Sequence, residues 1–390
     1  MTSAARTRLW LRVGAWGFWL LVFAGIGTDV IRHPLSHTTS PVYRTASTFW
    51  WQARDIYAFR DHDGFFYFPS AAFLFSPFNL IPSYYAGEIL WRLFNFGLFA
   101  FALVRLNEVF LSGTRKPDKT FLVLMLLAIP SAFASLRNAQ FDLPVAALVV
   151  LAAMEVASLR WNAATFWLCL AVAFKPLAVV PLLLFGALYW KLIPRLLLGL
   201  LIVVALPFAH WSPAFVAQEY LRCFQNMAMA SRGEGPRYSE LASLLNHAGI
   251  TPPDLWKTIA RIFFALVYLG LGAAAVTRLA GYRAAWTVGA LAADYLMLFN
   301  PRTETCSYVF LGPFIASLAL FYSRESGHKW LSYILGFGAL GLACDAFPKI
   351  GTFSIHDMTD RWFKPLIAVI FFLFLIHFVF TRRAASPKTM

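Results

Sequence analysis

"RNAQFDLPVAALVVLAAMEVASLRWNAATFWLCLAVAFKPLAVVPLLLF", Arg137 to Phe185, sets short polar interruptions between runs that are almost wholly apolar. A helix needs about 17 to 25 apolar residues to cross the hydrocarbon core of a bilayer. The run from 142 to 158 meets that length, and two shorter runs, 161 to 174 and 176 to 190, meet at Lys175 and Pro176. Working outward, similar segments lie near 13–31, 86–111 and 119–136 on one side, and near 194–210, 258–279, 284–299, 306–322, 330–347 and 364–381 on the other. The reading is an all-α integral membrane protein, one polytopic bundle over residues 1–390 with about twelve spans.

Composition agrees. Of 390 residues 59% are hydrophobic and only 13% charged, against roughly 45–50% and 25% in soluble domains. The formal charge of +14, from 33 Lys+Arg and 19 Asp+Glu, fits anionic lipid or basic flanks around spans with a phosphate-bearing substrate; with this hydropathy nucleic acid is the poorest reading of the three, and no nucleic-acid partner is expected. The four cysteines, Cys169, Cys223, Cys306 and Cys344, are far apart and show no metal-ligand spacing, so neither a disulfide framework nor a structural zinc is expected. The basic, apolar N-terminus has no small-residue cleavage site after it and reads as a retained first helix.

If every span crosses once, the basic connectors "SGTRKPDKT", "SLRWN", "WKLIPR", "TRLAGYR", "SRESGHK" and the tail fall on the side of the basic N-terminus. The positive-inside rule makes that side the cytoplasm, which predicts a cell-membrane protein with both termini inside. The other side receives two long hydrophilic stretches, 32–85 and 211–257, with short turns at 137–141 and 300–305 and the segment 348–363. In the first stretch Tyr43, Ala46, Phe49, Trp50, Ala53, Ile56 and Tyr57 recur at helical spacing, predicting a helix lying among headgroups. "FFYFPSAAFLFSPFNLIP", broken by Pro69, Pro77 and Pro82, reads as a re-entrant or interfacial element.

Polar residues near span ends collect on this outer side: Arg32, Asp61, Asp63, Arg137, Asn138, Gln140, Asp142, Arg302 and Glu304, with Lys175 interrupting a long apolar stretch. Fixed cations in a shared cavity suit an anionic headgroup, because Arg forks onto phosphate oxygens and Lys supplies a point charge. Plainer roles fit each residue singly. Arg302 and Glu304 suit an exposed turn pair, Asp142 a helix cap, and Lys175 beside Pro176 a snorkelling side chain. Asp61 and Asp63 in "DHDG" read as a solvated turn, and His33 and His37, separated by Pro34, are not a metal pair. No P-loop, G-x-S-x-G, H-E-x-x-H or dinucleotide-binding glycine pattern occurs.

The stretch Arg137–Phe185 resembles the signature of glycosyltransferase family 87, with a polar Asn-Ala-Gln-Phe-Asp turn, an apolar helix pair and a Lys-Pro. The resemblance extends to "VYRTASTFWWQARDIY", "GFFYFPSAAFLFSPFNLIP", "GEILWRLFNF" and "NPRTETCSY", most of residues 37 to 313. This family of polytopic GT-C enzymes includes a mycobacterial phosphatidylinositol mannoside mannosyltransferase. What the resemblance implies is a GT-C-like bundle that moves a sugar, most often mannose, from a polyprenyl-phosphate donor to a lipid or glycan acceptor. Transfer would invert the anomeric centre on the extracytoplasmic side, with no separate cofactor or divalent metal, and surrounding membrane lipids would be the other partners.

Carried onto matching positions, Gln140 and Asp142 belong to the polar turn, Lys175 to the Lys-Pro, and Arg302 with Glu304 to the late outer turn; from their charges the expectation is that Lys175 and Arg302, with Arg137 in reserve, hold the donor phosphate. Gln140 and Asp142 would hold sugar or acceptor hydroxyls, Glu304 would orient Arg302, and His37 and Tyr43 would line the acceptor side. Many members carry an acid four positions before the residue matching Tyr43, where this chain has Thr39. The general base then falls to Asp29, Asp61 or Asp63, with His37 also able to take a proton; Asp29 leads because it lies where the first span meets the outer interface. Two other classes satisfy the same charges: a transporter or flippase for an anionic lipid, which would favour inverted repeats that are not evident, and a non-catalytic scaffold.

Overall fold

The computed structural model describes residues 3–36, 38–59, 64–113, 116–230, 238–324, 329–344, 349–350, 353–354 and 362–382. Its helices are α1 (Ser3–Arg32), α2 (Ser40–Trp51), α3 (Pro69–Asn79), α4 (Tyr84–Val109), α5 (Pro117–Ala128), α6 (Phe133–Arg137), α7 (Asp142–Ala157), α8 (Trp161–Phe174) and α9 (Val179–Leu188). They continue as α10 (Ile193–Ala205), α11 (Pro213–Ala230), α12 (Leu241–His247), α13 (Asp254–Arg278), α14 (Gly281–Phe299), α15 (Gly312–Tyr322), α16 (Lys329–Gly341) and α17 (Lys364–Thr381). Short 3₁₀ turns extend several of these, notably Thr305–Phe310 ahead of α15. The one β ladder among the described residues pairs Lys349–Ile350 with Phe353–Ser354.

Within the described residues each of the twelve apolar segments is largely helical. By length and composition seven described stretches are sufficient to cross a membrane unaided: Ala5–Arg32, Tyr84–Val109, Pro117–Arg137, Trp190–Ala209, Asp254–Arg278, Thr305–Tyr322 and Lys364–Thr381. The remaining apolar helices are shorter or less apolar, so the all-helical, polytopic character stands on the seven. Leu197, Leu198, Leu201 and Ile202 on α10 and Ile262, Phe263 and Leu266 on α13 are exposed, apolar faces that water would penalise and acyl chains would not.

The centre of the bundle is α7. Every residue from Asp142 to Val156 is buried, sheathed by α4, α8 and α14. The alanines and valines of α7 give it a thin profile, and neighbours come close. A Cβ on Gly289 of α14 would stand 2.9 Å from the Cβ of Ala153, so glycine is what permits this approach.

The first long stretch departs from expectation. The periodic face of α2 turns into the protein: Tyr43, Ala46 and Trp50 are buried, as is Ile56 beyond the helix. Trp50 packs on His210 and Phe215. An apolar stripe has the same period whether protein or lipid covers it, which is why the sequence did not separate the two. α3 is a regular helix despite Pro77, tied to α8 by Ser70 Oγ donating to the Ala173 carbonyl at 2.9 Å. A buried network fixes α2 to α4: Glu88 accepts from Ser40 Oγ (2.7 Å), Arg44 (2.9 Å) and Arg92 (2.6 Å).

Candidate active site

The turn between α6 and α7 carries the first site residues. Ala139 adopts a left-handed backbone (φ 59°), unfavourable for a residue with a Cβ, and its carbonyl is held by Trp91 Nε1 at 2.9 Å. The preceding carbonyl, of Asn138, accepts from both the amide and the hydroxyl of Thr39, at 2.9 Å each. This bracing aims Gln140 and Asp142 at one point. Backbone strain of this kind persists only where surrounding contacts over-determine it.

Asp142 is fully buried. Its Oδ1 accepts from Lys175 Nζ at 2.6 Å, and its Oδ2 from Ser307 Oγ at 3.1 Å. Phe141, not Asp142, occupies the cap position of α7, and no side chain caps the helix, so Asp142 is an ion-pair partner rather than a cap. Lys175 sits between α8 and Pro176 in an extended conformation, as the residue before a proline must. Its side chain turns inward, with 19% of it exposed, instead of snorkelling outward. Burial works against the ammonium, but the carboxylates of Asp142 and then Glu304 more than reverse this and hold its pKa above the ordinary lysine value.

Glu304 reaches the same cluster from the turn after α14. Its Oε2 accepts from Gln140 Nε2 at 2.7 Å, and the Cys306 thiol, 3.4 Å from that oxygen, donates to Gln140 Oε1 at 2.8 Å. The predicted pairing of Glu304 with Arg302 does not form. The Arg302 guanidinium instead lies over the Phe66 ring at 4.3 Å and the Tyr238 ring at 5.8 Å, a cation–π seat, and its Nε has no hydrogen-bond partner among the described residues.

Tyr43 joins the cluster through its phenol, which lies 3.2 Å from that of Tyr67 and 3.1 Å from Thr39 Oγ1. Both rings pack on Phe141. Burial keeps the Tyr67 phenol well above its usual range, and the negative charges of Asp142 and Glu304 add to this. Tyr67, Ser307 and Cys306 belong to the cluster although the sequence reading did not single them out. A further omission, Lys364 at the start of α17, is buried and donates to the Thr305 carbonyl at 2.8 Å, bracing the turn that carries Glu304. The signal for Tyr67 and Cys306 lay in the motifs "GFFYFP" and "TETCSY"; Lys364, in a basic-looking span boundary, offered none.

The remaining candidates lie elsewhere. Asp29 forms an ion pair with Arg137 and a 3.1 Å contact with His33 Nδ1, and Arg137 also donates to the His33 carbonyl at 3.2 Å. These two residues, placed in the sequence reading as base and reserve phosphate ligand, therefore join the end of α1 to α6 as a pair of their own. His37, Asp61 and Asp63 fall outside the described residues.

Lys175, Asp142, Gln140, Glu304 and Tyr43 thus converge from four separate parts of the chain at one end of the bundle, with Arg302 two residues from Glu304. The family model for glycosyltransferase family 87 matches residues 65–301, well over half of the chain, and includes Tyr67, Gln140, Asp142 and Lys175. The chain belongs to glycosyltransferase family 87. As a family 87 protein it is a membrane glycosyltransferase, and enzyme takes precedence over transporter or scaffold. No curated protein matches the chain. The family 87 match ends beside Arg302, so the turn bearing Glu304 and Cys306 is tied to the family core by geometry, through Gln140 and Asp142.

Proposed function

We propose that this glycosyltransferase moves mannose from a polyprenyl-phosphate donor to a lipid or glycan acceptor, with inversion, on the extracytoplasmic side of the cell membrane. The observation that supports the proposal is the cluster of Lys175, Asp142, Gln140 and the exposed carboxylate of Glu304 around one polar turn in an otherwise apolar protein, with Arg302 two residues from Glu304. In the reaction the acceptor oxygen bonds to the anomeric carbon as the bond from that carbon to the phosphate oxygen breaks. The electron pair leaves with the lipid phosphate, where Lys175 and Arg302 stabilise the charge, usually the largest catalytic contribution.

The acceptor hydroxyl becomes acidic only as its new bond forms, so its proton goes to a nearby carboxylate, an effect of typically about 10²–10⁴-fold. Among the described carboxylates Glu304 fits this base role best. Asp142 is neutralised by Lys175, and Asp29 by Arg137. Asp61 and Asp63 of the first outer loop are its competitors for the role. Gln140 orients Glu304 and, with Tyr43 and Tyr67, offers hydrogen bonds to sugar hydroxyls.

The site lies at the end of the bundle where α1 finishes, away from the basic connectors, and this supports the outward orientation. The test is purified protein incubated with polyprenyl-phosphate mannose and a membrane-lipid extract, followed by mass spectrometry. A product heavier by one hexose is expected. Product from a nucleotide sugar but not from the lipid-linked donor would overturn the reading.

A further inference from the structure

A second charged recess lies at the opposite end of the molecule. The stretch Pro117–Arg137 and the stretch Thr305–Tyr322 both begin or end at the candidate active site, and at about 1.5 Å per residue each extends roughly 25–30 Å away from it. At their far ends, between α5, α15 and α16, is a cavity of about 430 Å³. Lys116, Lys119 and Arg324 line it with cations, and Val123, Leu127 and Leu320 line it with apolar side chains from the membrane-spanning helices, while the hydroxyls of Thr120 and Ser323 are turned back to the Lys116 and Leu320 carbonyls. Arg324 is anchored through Nη1 to the Leu111 carbonyl at 3.4 Å. The nearby carboxylate, Asp118, is taken by Arg12 at 2.6 Å, and among the described residues Lys116 and Lys119 make no ion pair.

We infer that this recess holds an anionic glycerophospholipid of the leaflet opposite the active site, its phosphate among Lys116, Lys119 and Arg324 and an acyl chain on the apolar side chains. A soluble anion has no use for the apolar lining. A neutral lipid has no use for three cations in one recess. Basic recesses between spans at a membrane surface recognise acidic headgroups, each cation near the surface adding on the order of a five-fold gain in affinity. The proposal is independent of the sugar-transfer reading.

The experiment is native mass spectrometry of the full-length, delipidated protein titrated with phosphatidylglycerol or phosphatidylcholine of identical acyl chains. Phosphatidylglycerol is expected to be retained preferentially. The pair K119Q and R324Q should lose roughly 25-fold of that affinity, whereas K119R with R324K should keep most of it; the charge-retaining pair, alongside gel-filtration profiles, separates loss of the site from loss of the fold. Glycerol phosphate, lacking acyl chains, should not compete at equal concentration. Equal binding of the two lipids, undiminished phosphatidylglycerol binding by the glutamine pair, or displacement by glycerol phosphate would each overturn the assignment.

Discussion

Replacing Lys175 by methionine removes the ammonium but keeps most of its volume. Asp142 is left fully buried with one remaining partner, the Ser307 hydroxyl at 3.1 Å. At 2.6 Å and an effective dielectric of about 20, the lost attraction is on the order of 6 kcal/mol, much of it offset in the native protein by the dehydration of both ions. Breaking such a pair from one side costs about 3–5 kcal/mol, and the partial exposure of Lys175 places this case near 3. K175M should therefore unfold at a distinctly lower Tm, followed by tryptophan fluorescence in detergent, and transfer roughly 10²–10³-fold more slowly. Adding Asp142→Asn removes the stranded charge, so the double variant should regain most of the stability and none of the transfer. A K175M protein as stable as wild type, or a double variant that transfers normally, would refute the reasoning.

Glu304→Gln should lower kcat by about 10²–10⁴-fold with little change in donor KM, measured by hexose incorporation; a full kcat would return the base role to Asp61 or Asp63. Arg302→Gln should raise donor KM about ten-fold or more through loss of a charge-assisted contact, with Arg302→Lys only a partial rescue because a lysine does not reproduce the planar stacking on Phe66. Lys175 is protonated more readily in the folded state than its ordinary value of 10.5, so its stabilisation is complete below that pH and is lost as pH rises through the folded value. The Tm advantage of wild type over K175M should be level at neutral to mildly alkaline pH and shrink above about pH 10.5; an advantage that stays unchanged as pH rises well past that value would contradict this. Gly312→Ala places a Cβ 1.9 Å from Ser131 Oγ and 2.7 Å from its Cβ, and should cost about 1–3 kcal/mol by overpacking, visible as reduced detergent thermostability.

Much of the architecture is legible in the chain because charge is scarce in it. Lys175, Asp142, Gln140 and Glu304 stand out against apolar surroundings, and their shared location follows from where the runs begin and end. Their partners do not. Arg302 and Glu304 are two residues apart, yet in an extended turn neighbouring side chains diverge, and each finds its contact from a distant segment: Gln140 for one, Phe66 for the other. Asp29 looked available at the rim of α1 because nothing local reveals that Arg137, more than a hundred positions later, arrives beside it. The α2 stripe was read as facing headgroups because periodicity reports that a surface is covered without naming the cover. Tyr67 and Phe66 were hidden in a plain aromatic run, where only the fold decides which ring meets a phenol and which a guanidinium.

The pair Asp142–Lys175 stands at the two open ends of the hairpin formed by α7 and α8, whose closed end is the tight connection at 158–160. Both ions are therefore synthesised within one short hairpin, and the aspartate can enter the bilayer already neutralised, long before the ribosome reaches the turn at 300–310. The acid that arrives last, Glu304, is the one left facing outward. The order in which the ribosome delivers these charges is thus itself a safeguard against stranding a bare carboxylate in lipid during biogenesis.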